Sequence, residues 1–375
     1  MRVVVAMSGG VDSSVVAGLL HEVGHEVIGV TLQLYNHGAA INRKGACCAG
    51  QDIHDARRVA DHLGIPHYII DAEARFARAV IADFVDSYAA GETPVPCVRC
   101  NQTVKFTDLT VLARGLGAER LATGHYVRRV DGVDGPELHR ARDAARDQSW
   151  FLFATTSEQL AFSLFPLGDM ADKAAVRDQA VRLGLPVAAK PDSQDICFVP
   201  SGRYAELVGR LRPDALTPGE IVDKSGTVLG HHTGVARYTV GQGKRLGTAS
   251  ATGHVVHAID AARSRLVVGP RTAGVRTIRL REMNWLAAPP DSGWRCTVKL
   301  RARDEPQPAW VQPANDGSVV QLDQPALPAP GQACVMYRDE RVLGGGFICR
   351  PEVDAAGVGR LFARSRAMDG GVAQR

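Results

Sequence analysis

An apolar segment that runs into paired glycines and then into a helix constrains this chain most. Residues 2–7 read RVVVAM, a continuous apolar run typical of a buried parallel strand. The hexapeptide SGGVDS follows at 8–13. Glycines carry no Cβ, so the backbone can approach a ligand, and the unpaired N–H groups at a helix start favour phosphate oxygens. Because the hexapeptide lacks the Gly-Lys-Ser/Thr of a Walker loop, it predicts a phosphate-binding loop of another kind.

Strands and helices alternate up to about residue 200. Further predicted strands lie at 26–34, 67–71 and 119–124. Predicted helices lie at 12–23, 52–63, 74–90 and 105–116. This order is typical of an α/β doubly wound parallel sheet, in which ligands bind at the carboxyl ends of the strands. The glycine loop at 8–13 occupies such an end.

The sequence changes character near residue 200. Short β-branched runs separated by glycines follow, and then alternating segments interrupted by prolines. We predict a nucleotide-binding catalytic domain at 1–203 and a small central β-rich domain, expected to be all-β, at 204–275. A C-terminal β-barrel is predicted at 276–362 and a disordered tail at 363–375.

Charge and hydropathy exclude some classes of protein. The N-terminus enters the first strand without a secretory signal, and no apolar stretch reaches the roughly 20 residues of a membrane span. We therefore expect a cytoplasmic protein with no membrane partner. The net charge of +4 does not by itself indicate nucleic acid.

A basic run between residues 271 and 303 is more informative than the net charge. It contains eight basic and only two acidic residues. In RCTVKLRARD, alternation places Lys299, Arg301 and Arg303 on one face of a predicted strand, opposite Cys296 and Val298. Two interpretations stay open, a solvated strand face and a surface for an RNA backbone.

Eight cysteines indicate metal or redox chemistry, because a cytosolic chain rarely keeps structural disulfides. Those in apolar segments are expected in the core, namely Cys296, Cys334 and Cys349. The vicinal pair Cys47 and Cys48 is expected to be incidental. The functional candidates are Cys97, Cys100 and Cys197.

The strand–SGGVDS–helix unit resembles the pyrophosphate loop of the ATP pyrophosphatases. Members of that superfamily split ATP to AMP and pyrophosphate while they activate an oxygen as an adenylate. The resemblance implies that Asp12 is a ligand of the accompanying Mg²⁺. The implied ATP-binding residues are Ala6, Met7, Ser8, Gly9, Gly10, Val11, Asp12, Ser13, Leu32 and Gly124.

Four segments resemble the bacterial tRNA 2-thiouridylases of the wobble uridine. They are TPVPCVRCNQTVKF at 93–106, RDQSWFL at 146–152, KPDSQDICF at 190–198 and LGGGFI at 343–348. They occur in the family's order between Ala6 and about Ile348. By resemblance, Cys197 bears a persulfide and Cys100 is its partner, and a transient Cys100–Cys197 disulfide follows sulfur transfer. ATP is implied to activate the uridine C2 oxygen, which sulfur then replaces.

The resemblance also implies partners, namely the tRNA anticodon arm and a persulfide sulfur-donor protein. A monomer is expected. The implied tRNA-binding residues are His125, Arg146, Asp147, Gln148, Arg301, Ala302 and Gln332.

One position departs from the family pattern. Many members carry Asp three residues before the first catalytic cysteine, where this chain has Cys97. Cys97, Cys100 and Cys197 could instead hold an iron–sulfur cluster, which is the less favoured alternative. Zinc lacks an obvious fourth ligand, so no metal site is assigned. A further alternative is an amide-forming synthetase of the same superfamily.

Overall fold

The computed structural model describes residues 1–35, 48–192, 196–199, 204–247 and 253–351. Within these ranges, five parallel strands form the first sheet in the order β3-β2-β1-β4-β7. Their bounds are β1 Arg2–Ala6, β2 Glu26–Gln33, β3 His67–Asp71, β4 Arg120–Ala122 and β7 Ser163–Leu164. The chain moves outward from β1 to β3 and returns to the other side of β1 with β4. This reversal places the loops after β1 and β4 at a topological switch point, where open α/β sheets bind ligands.

The four predicted helices of this domain are present, together with others that were not predicted. Their bounds are α1 Val11–Glu22, α2 Cys48–Leu63, α3 Glu73–Phe76, α4 Ala82–Ala89, α5 Pro96–Cys100, α6 Phe106–Gly115, α7 Ser149–Leu152, α8 Ser157–Phe162 and α9 Lys173–Arg182. The predicted ones are α1, α2, the pair α3 and α4, and α6, whereas α5, α7, α8 and α9 were not predicted. π-helical turns at Ala77–Ile81 and Asn101–Lys105 join α3 to α4 and α5 to α6. The helix predicted at 105–116 is therefore the last part of a longer helical segment that begins at Pro96. None of the helices in the described ranges is long and apolar enough to cross a membrane.

The central region is β-rich, but the expectation that it is all-β is wrong. It opens with helix α10, Tyr204–Leu211, whose Tyr204, Leu207 and Val208 pack against α4. Helical spacing of these apolar residues was the overlooked signal. The strands that follow are β8 Gly219–Val222, β9 Val228–His232, β10 His254–Asp260 and β11 Arg265–Pro270. In the described residues they form a sheet of order β10-β11-β8-β9.

The last region is a closed barrel, as predicted. Its strands are β12 Val275–Trp285, β13 Trp294–Lys299, β14 Gln307–Ala314, β15 Gly317–Ala326, β16 Ala333–Arg338 and β17 Arg341–Ile348. Pairing of β12 with both β15 and β17 closes it. The residues predicted as a tail, 363–375, lie outside the described ranges.

Barrel and parallel-sheet domain share a hydrophobic core. Trp150 and Phe153 of the first domain belong to the same buried cluster as Val335, Tyr337 and Phe347 of the barrel. A hairpin of the first domain, β5 Val127–Gly132 and β6 Gly135–Arg140, pairs with β17. The barrel is therefore packed directly against the domain that carries the phosphate loop.

The predicted basic strand face is wrong beyond Lys299. Strand β13 ends at that residue, so Arg301 and Arg303 are not on its surface. Arg301 turns inward, and its Nη2 donates hydrogen bonds to the carbonyl oxygens of Val240 at 2.9 Å and Leu327 at 3.2 Å. Elsewhere in the basic run, acidic partners satisfy Arg281 through Glu92, Arg295 through Asp323 and Arg279 through Asp316.

Candidate active site

The glycine loop after β1 is fixed by backbone geometry. Gly9 has a φ of +73°, and a Cβ there would overlap the carbonyl oxygen of Asp52. Two independent constraints therefore require glycine at this position. The amide of Ser8 donates to Ser13 Oγ at 3.1 Å, and Ser14 Oγ donates to the Gly10 carbonyl at 2.8 Å.

The start of α1 is open for an anion. Gly10 is its N-cap residue in an extended conformation, and no side chain of the described residues caps the helix there. The first N–H groups of the helix therefore keep their hydrogen-bonding capacity, together with the positive end of the helix dipole. This arrangement suits a phosphate group.

Two lysines that the sequence analysis missed lie beside the loop. Lys173 Nζ is 2.6 Å from Asp12 Oδ1 and 3.0 Å from Asp192 Oδ1. Lys190 Nζ donates to the Gly9 carbonyl at 3.0 Å and pairs with Asp52 and Asp55. Both lysines are only slightly exposed. Lys190 is the first residue of the KPDSQDICF segment, in which only the cysteine was a functional candidate. The sequence around Lys173 gives no signal of a binding role.

Lys190 is held in its charged form. Burial opposes the charge, but the hydrogen bonds to Asp52 and Asp55 prevail and raise its pKa above the ordinary value. A cation that contacts the loop backbone is thus retained at physiological pH. If phosphate oxygens took the place of these carboxylates, the Lys190 ammonium would still be paired with negative charge.

Two more of the expected ATP-binding residues, Gly124 and Leu32, lie near the carboxyl ends of two strands of the parallel sheet. A Cβ on Gly124 would come within 2.9 Å of the Ser13 amide nitrogen, so glycine permits the loop after β4 to touch the start of α1. Leu32 lies near the end of β2, half-buried against the cluster that contains Cys100. Leu32, one of the ATP-binding residues implied by the resemblance, therefore adjoins the cluster of Cys100.

Cys100 and Cys197 come from distant segments that pack together. Cys100 ends α5 and is buried with Phe76, Val80 and Val104. Phe198, next to Cys197, packs edge-on against Phe76 at 5.6 Å between ring centroids and against Phe84 at 5.2 Å. All three candidate cysteines are free thiols, with Cys97 and Cys197 at the surface.

The surroundings of the thiols favour their protonated form. Burial raises the pKa of Cys100. Cys97 and Cys197 have exposed atoms, but desolvation by the protein packed around them also raises their pKa, that of Cys197 to about 12, with Cys100 and Cys97 adding to that shift. Lys105 opposes the effect at all three cysteines. It ends the π-helical turn after Cys100 and pairs with no carboxylate in the described part of the chain. Lys105 is a third lysine that the sequence analysis missed, although it lies in the quoted cysteine segment.

The three cysteines do not form a recognisable metal site. Within the described ranges, no group of three or more His, Cys, Asp or Glu side chains is arranged to hold a metal ion. The iron–sulfur alternative therefore gains no support from the geometry.

A four-residue segment after β4 connects the phosphate loop to the thiols. Tyr126 donates its hydroxyl hydrogen to Asp12 Oδ1 at 2.7 Å. His125, its neighbour, stacks on Phe106 at 6.0 Å, and burial with the charge of Lys105 lowers its pKa to about 3. His125 is therefore neutral at physiological pH. The segment therefore contacts the phosphate loop through Tyr126 and, through His125, the helical segment that contains Cys100.

The segment RDQSWFL supports this connection from behind. Gln148 Oε1 accepts a hydrogen bond from the Tyr126 amide at 2.9 Å. Asp147 accepts from the Ala141 and Ser149 amides and from Ser149 Oγ, so its carboxylate organises its own loop. Arg146 is half exposed and pairs with Asp192.

Two further expected tRNA contacts lie at domain boundaries. Gln332 Nε2 donates to the Thr93 carbonyl at 3.0 Å, just before the cysteine segment. Ala302 packs partly against the core shared with the barrel. Together with Arg301, these residues make contacts between domains.

The fold and site define a nucleotide-binding α/β enzyme that carries two β-rich modules. Three protein-family models match the chain. They are described as tRNA methyl transferase HUP domain at 1–201, tRNA methyl transferase PRC-barrel domain at 207–270 and aminomethyltransferase beta-barrel domain at 275–348.

Curated relatives define the family more narrowly. A tRNA-specific 2-thiouridylase MnmA of Acidiphilium cryptum is 72% identical, over 93% of this chain and 100% of the relative. One from Gluconobacter oxydans is 62% identical, over 93% and 99%. The chain belongs to the tRNA-specific 2-thiouridylase family. A 4-thiouridine synthetase crystallised with RNA and ATP is 16% identical over 57% of this chain and 50% of that one, and its TM-score of 0.34 supports no inference.

Proposed function

We propose that this protein replaces the C2 oxygen of the wobble uridine of tRNA with sulfur, at the expense of ATP. The observation that carries the proposal is the segment 123–126, in which Tyr126 contacts Asp12 of the phosphate loop. His125 of the same segment stacks on Phe106, which lies on the helical segment that begins at Pro96 and contains Cys100. A reaction that activates an oxygen with ATP and then replaces it with sulfur needs these two centres side by side. The names of the relatives support the same activity.

In the first step, the uridine C2 oxygen attacks the α-phosphorus of ATP, and pyrophosphate leaves. The loop at 8–13 and the open start of α1 receive the phosphates, while Lys173 and Lys190 neutralise their charge. Asp12, a partly exposed carboxylate, fits Mg²⁺ by its donor chemistry. When bound, Mg²⁺ would offset the negative charge of the pyrophosphate.

In the second step, the terminal sulfur of a Cys197 persulfide attacks C2, and AMP leaves with the original oxygen. The Cys100 thiolate then attacks Cys197 Sγ, the S–S bond breaks, and its electron pair remains on the sulfur bound to C2. The products are 2-thiouridine and a Cys100–Cys197 disulfide, which an external thiol must reduce. A persulfide donor protein reloads Cys197.

The target uridine must be flipped out of the anticodon loop. A base must leave its stack for its C2 to meet a thiol held in the protein, and unstacked anticodon-loop bases are the usual targets of specific RNA recognition. The neutral ring of His125, stacked on Phe106, offers an aromatic surface near the thiols. Arg146 is the half-exposed cation of the RDQSWFL segment that can approach phosphate. We further propose a cytoplasmic monomer, since free thiols persist in that compartment.

The direct test is mass analysis of tRNA nucleosides. Unmodified tRNA would be incubated with the protein, ATP, Mg²⁺ and a persulfide source, and we expect 2-thiouridine at the wobble position. Pyrophosphate release should require tRNA. Release without tRNA, with an amine acceptor instead, would favour the amide-forming alternative. A methylated nucleoside formed without sulfur would support the methyl transfer that the matching models' names suggest.

A further inference from the structure

A concave surface of the central domain is lined by residues that belong neither to the phosphate loop nor to the three candidate cysteines. Its volume is about 720 Å³, and its lining includes Arg237, Lys244, Arg245 and Arg271. All four of these cations are exposed. No carboxylate belongs to the lining or pairs with them within the described ranges. Such a concentration of positive charge in a cleft attracts a polyanion.

A glycine-rich loop at 241–247 presents two of these cations. Gly241 has a φ of +88°, and a Cβ there would lie 2.8 Å from Arg301 Nη2. The loop is anchored by the Gly241 amide, which donates to the Val256 carbonyl at 2.7 Å. Arg301 adds its bond to the carbonyl of Val240, immediately before the loop. The loop is therefore held firmly at its start.

Arg245 has a left-handed backbone conformation. Its φ is +67°, a left-handed value that costs energy for any residue with a Cβ. In this strained conformation, Arg245 and its neighbour Lys244 both line the cleft. Across the cleft, Arg271 Nη2 would lie 3.8 Å from a Cβ on Gly243. Cations from two separate segments thus face the same space.

An aromatic residue completes the lining. Tyr204 stacks on Tyr88 with ring centroids 4.6 Å apart. Arg237 and Arg245 lie close enough to act on the pKa of Tyr204, although burial dominates and raises it. Stacked Tyr88 belongs to α4 of the first domain, so the cleft borders the domain junction.

We propose that this central-domain cleft binds phosphodiester groups of the tRNA substrate and anchors it at a second place besides the thiol site. Arginine and lysine in an open groove are the usual partners of a nucleic-acid backbone, because binding releases counterions. The inference rests on the proposed function, which supplies the polyanion. It also gives Arg301 a role, because its hydrogen bond to the Val240 carbonyl positions the loop.

The test uses Lys244→Ala/Arg271→Ala in the full-length protein. We expect weaker tRNA binding and a salt dependence of log affinity that is shallower by roughly 0.7–0.9 units for each lost phosphate contact. The KM for ATP and the thiolation rate at saturating tRNA should not change. Arg263→Ala/Arg265→Ala removes the same net charge from the same domain outside the cleft, and its salt slope should stay at the wild-type value.

Several outcomes would overturn the cleft without touching the proposed function. If wild type thiolates tRNA and both double variants share its slope, the cleft does not hold RNA. If inorganic phosphate binds there at low concentration while the tRNA slope is unaffected, the cleft takes small anions. An unchanged slope with slower persulfide loading would identify an acidic protein partner. Absence of thiolation in wild type would instead reject the proposed function.

Discussion

The phosphate loop and the thiol centre lie next to each other but are built differently. Backbone conformation makes the loop, since Gly9 combines a left-handed φ with contact to the Asp52 carbonyl. Side chains from distant segments make the thiol centre, where Phe198 brings Cys197 toward the cluster around Cys100. The first centre is charged and ready for an anion. The thiol centre combines a buried Cys100 with exposed Cys97 and Cys197, and its surroundings raise the pKa of all three and so favour the protonated thiols. Thiolate formation is therefore a required step of the sulfur chemistry there.

The largest expected effect separates the three cysteines. Cys100→Ser and Cys197→Ser should each abolish thiolation, because serine can neither form nor attack an S–S bond. tRNA-dependent pyrophosphate release should remain, since the phosphate loop is intact. The assay is 2-thiouridine by mass analysis beside pyrophosphate release.

Cys97→Ser is the matched control for those variants. It lies on the same short helix as Cys100 and should keep substantial thiolation. An inactive Cys97→Ser protein that folds and releases pyrophosphate would mean that three thiols act together. Iron and visible absorption in an anaerobically reconstituted sample would then support the cluster alternative.

Gly9→Ala tests the backbone conformation of the phosphate loop. The left-handed φ alone costs about 1–3 kcal/mol, and the overlap with the Asp52 carbonyl adds to it. We expect a lower free energy of unfolding in denaturant and loss of both pyrophosphate release and thiolation.

Gly10→Ala tests whether that loss is specific to position 9. Gly10 has an ordinary φ of −89°, and the nearest atom to an added Cβ is Ser8 Oγ at 3.6 Å. Its stability should stay within about 1 kcal/mol of wild type. Equal destabilisation at both glycines would show that the loop is not fixed by the contact with Asp52.

These two centres also differ in how much the sequence could predict. The loop, the strands around it and the α/β class followed from local signals, namely an apolar run, paired glycines and helical spacing. The hairpin β5–β6 was missed because its strands are polar and gain their place by pairing with β17 of the barrel. Helix α10 was missed because glycine-rich β-branched runs dominate the sequence after it.

Side-chain networks were the least predictable part of the site. Lys173 reaches Asp12 across 161 positions, and only folding reveals that pairing. Arg301 illustrates the opposite error, since strand alternation predicted an exposed cation and the strand ends two residues earlier. The roles of the expected tRNA contacts, of Leu32 and of the domain bounds at 203 and 275 stay predictions.

Lys173→Met should weaken the phosphate centre without changing its backbone. Hydrogen bonds to charged groups contribute about 1.5–3 kcal/mol, so kcat/KM for ATP should fall roughly 10- to 100-fold. Arg182→Gln is the control on the same helix, because its exposed pairing with Glu22 should matter little. The measurement is tRNA-dependent pyrophosphate release at varied ATP. Equal ATP kinetics in both variants would remove Lys173 from the site.

Lys105→Gln is expected to have the smallest effect on thiolation, and it tests how thiolates form at Cys100 and Cys197. Burial raises the pKa of Cys100 and Cys197, and Lys105 opposes that shift. Removing its charge should raise both pKa values further, so fewer thiolates exist at neutral pH. Thiolation should therefore slow several-fold near pH 7.5, recover as pH rises, and follow the wild-type profile in Lys105→Arg, as single-turnover rates across pH would measure. A loss independent of pH, also seen in Lys105→Arg, would mean that Lys105 serves packing or RNA contact instead of setting thiolate formation.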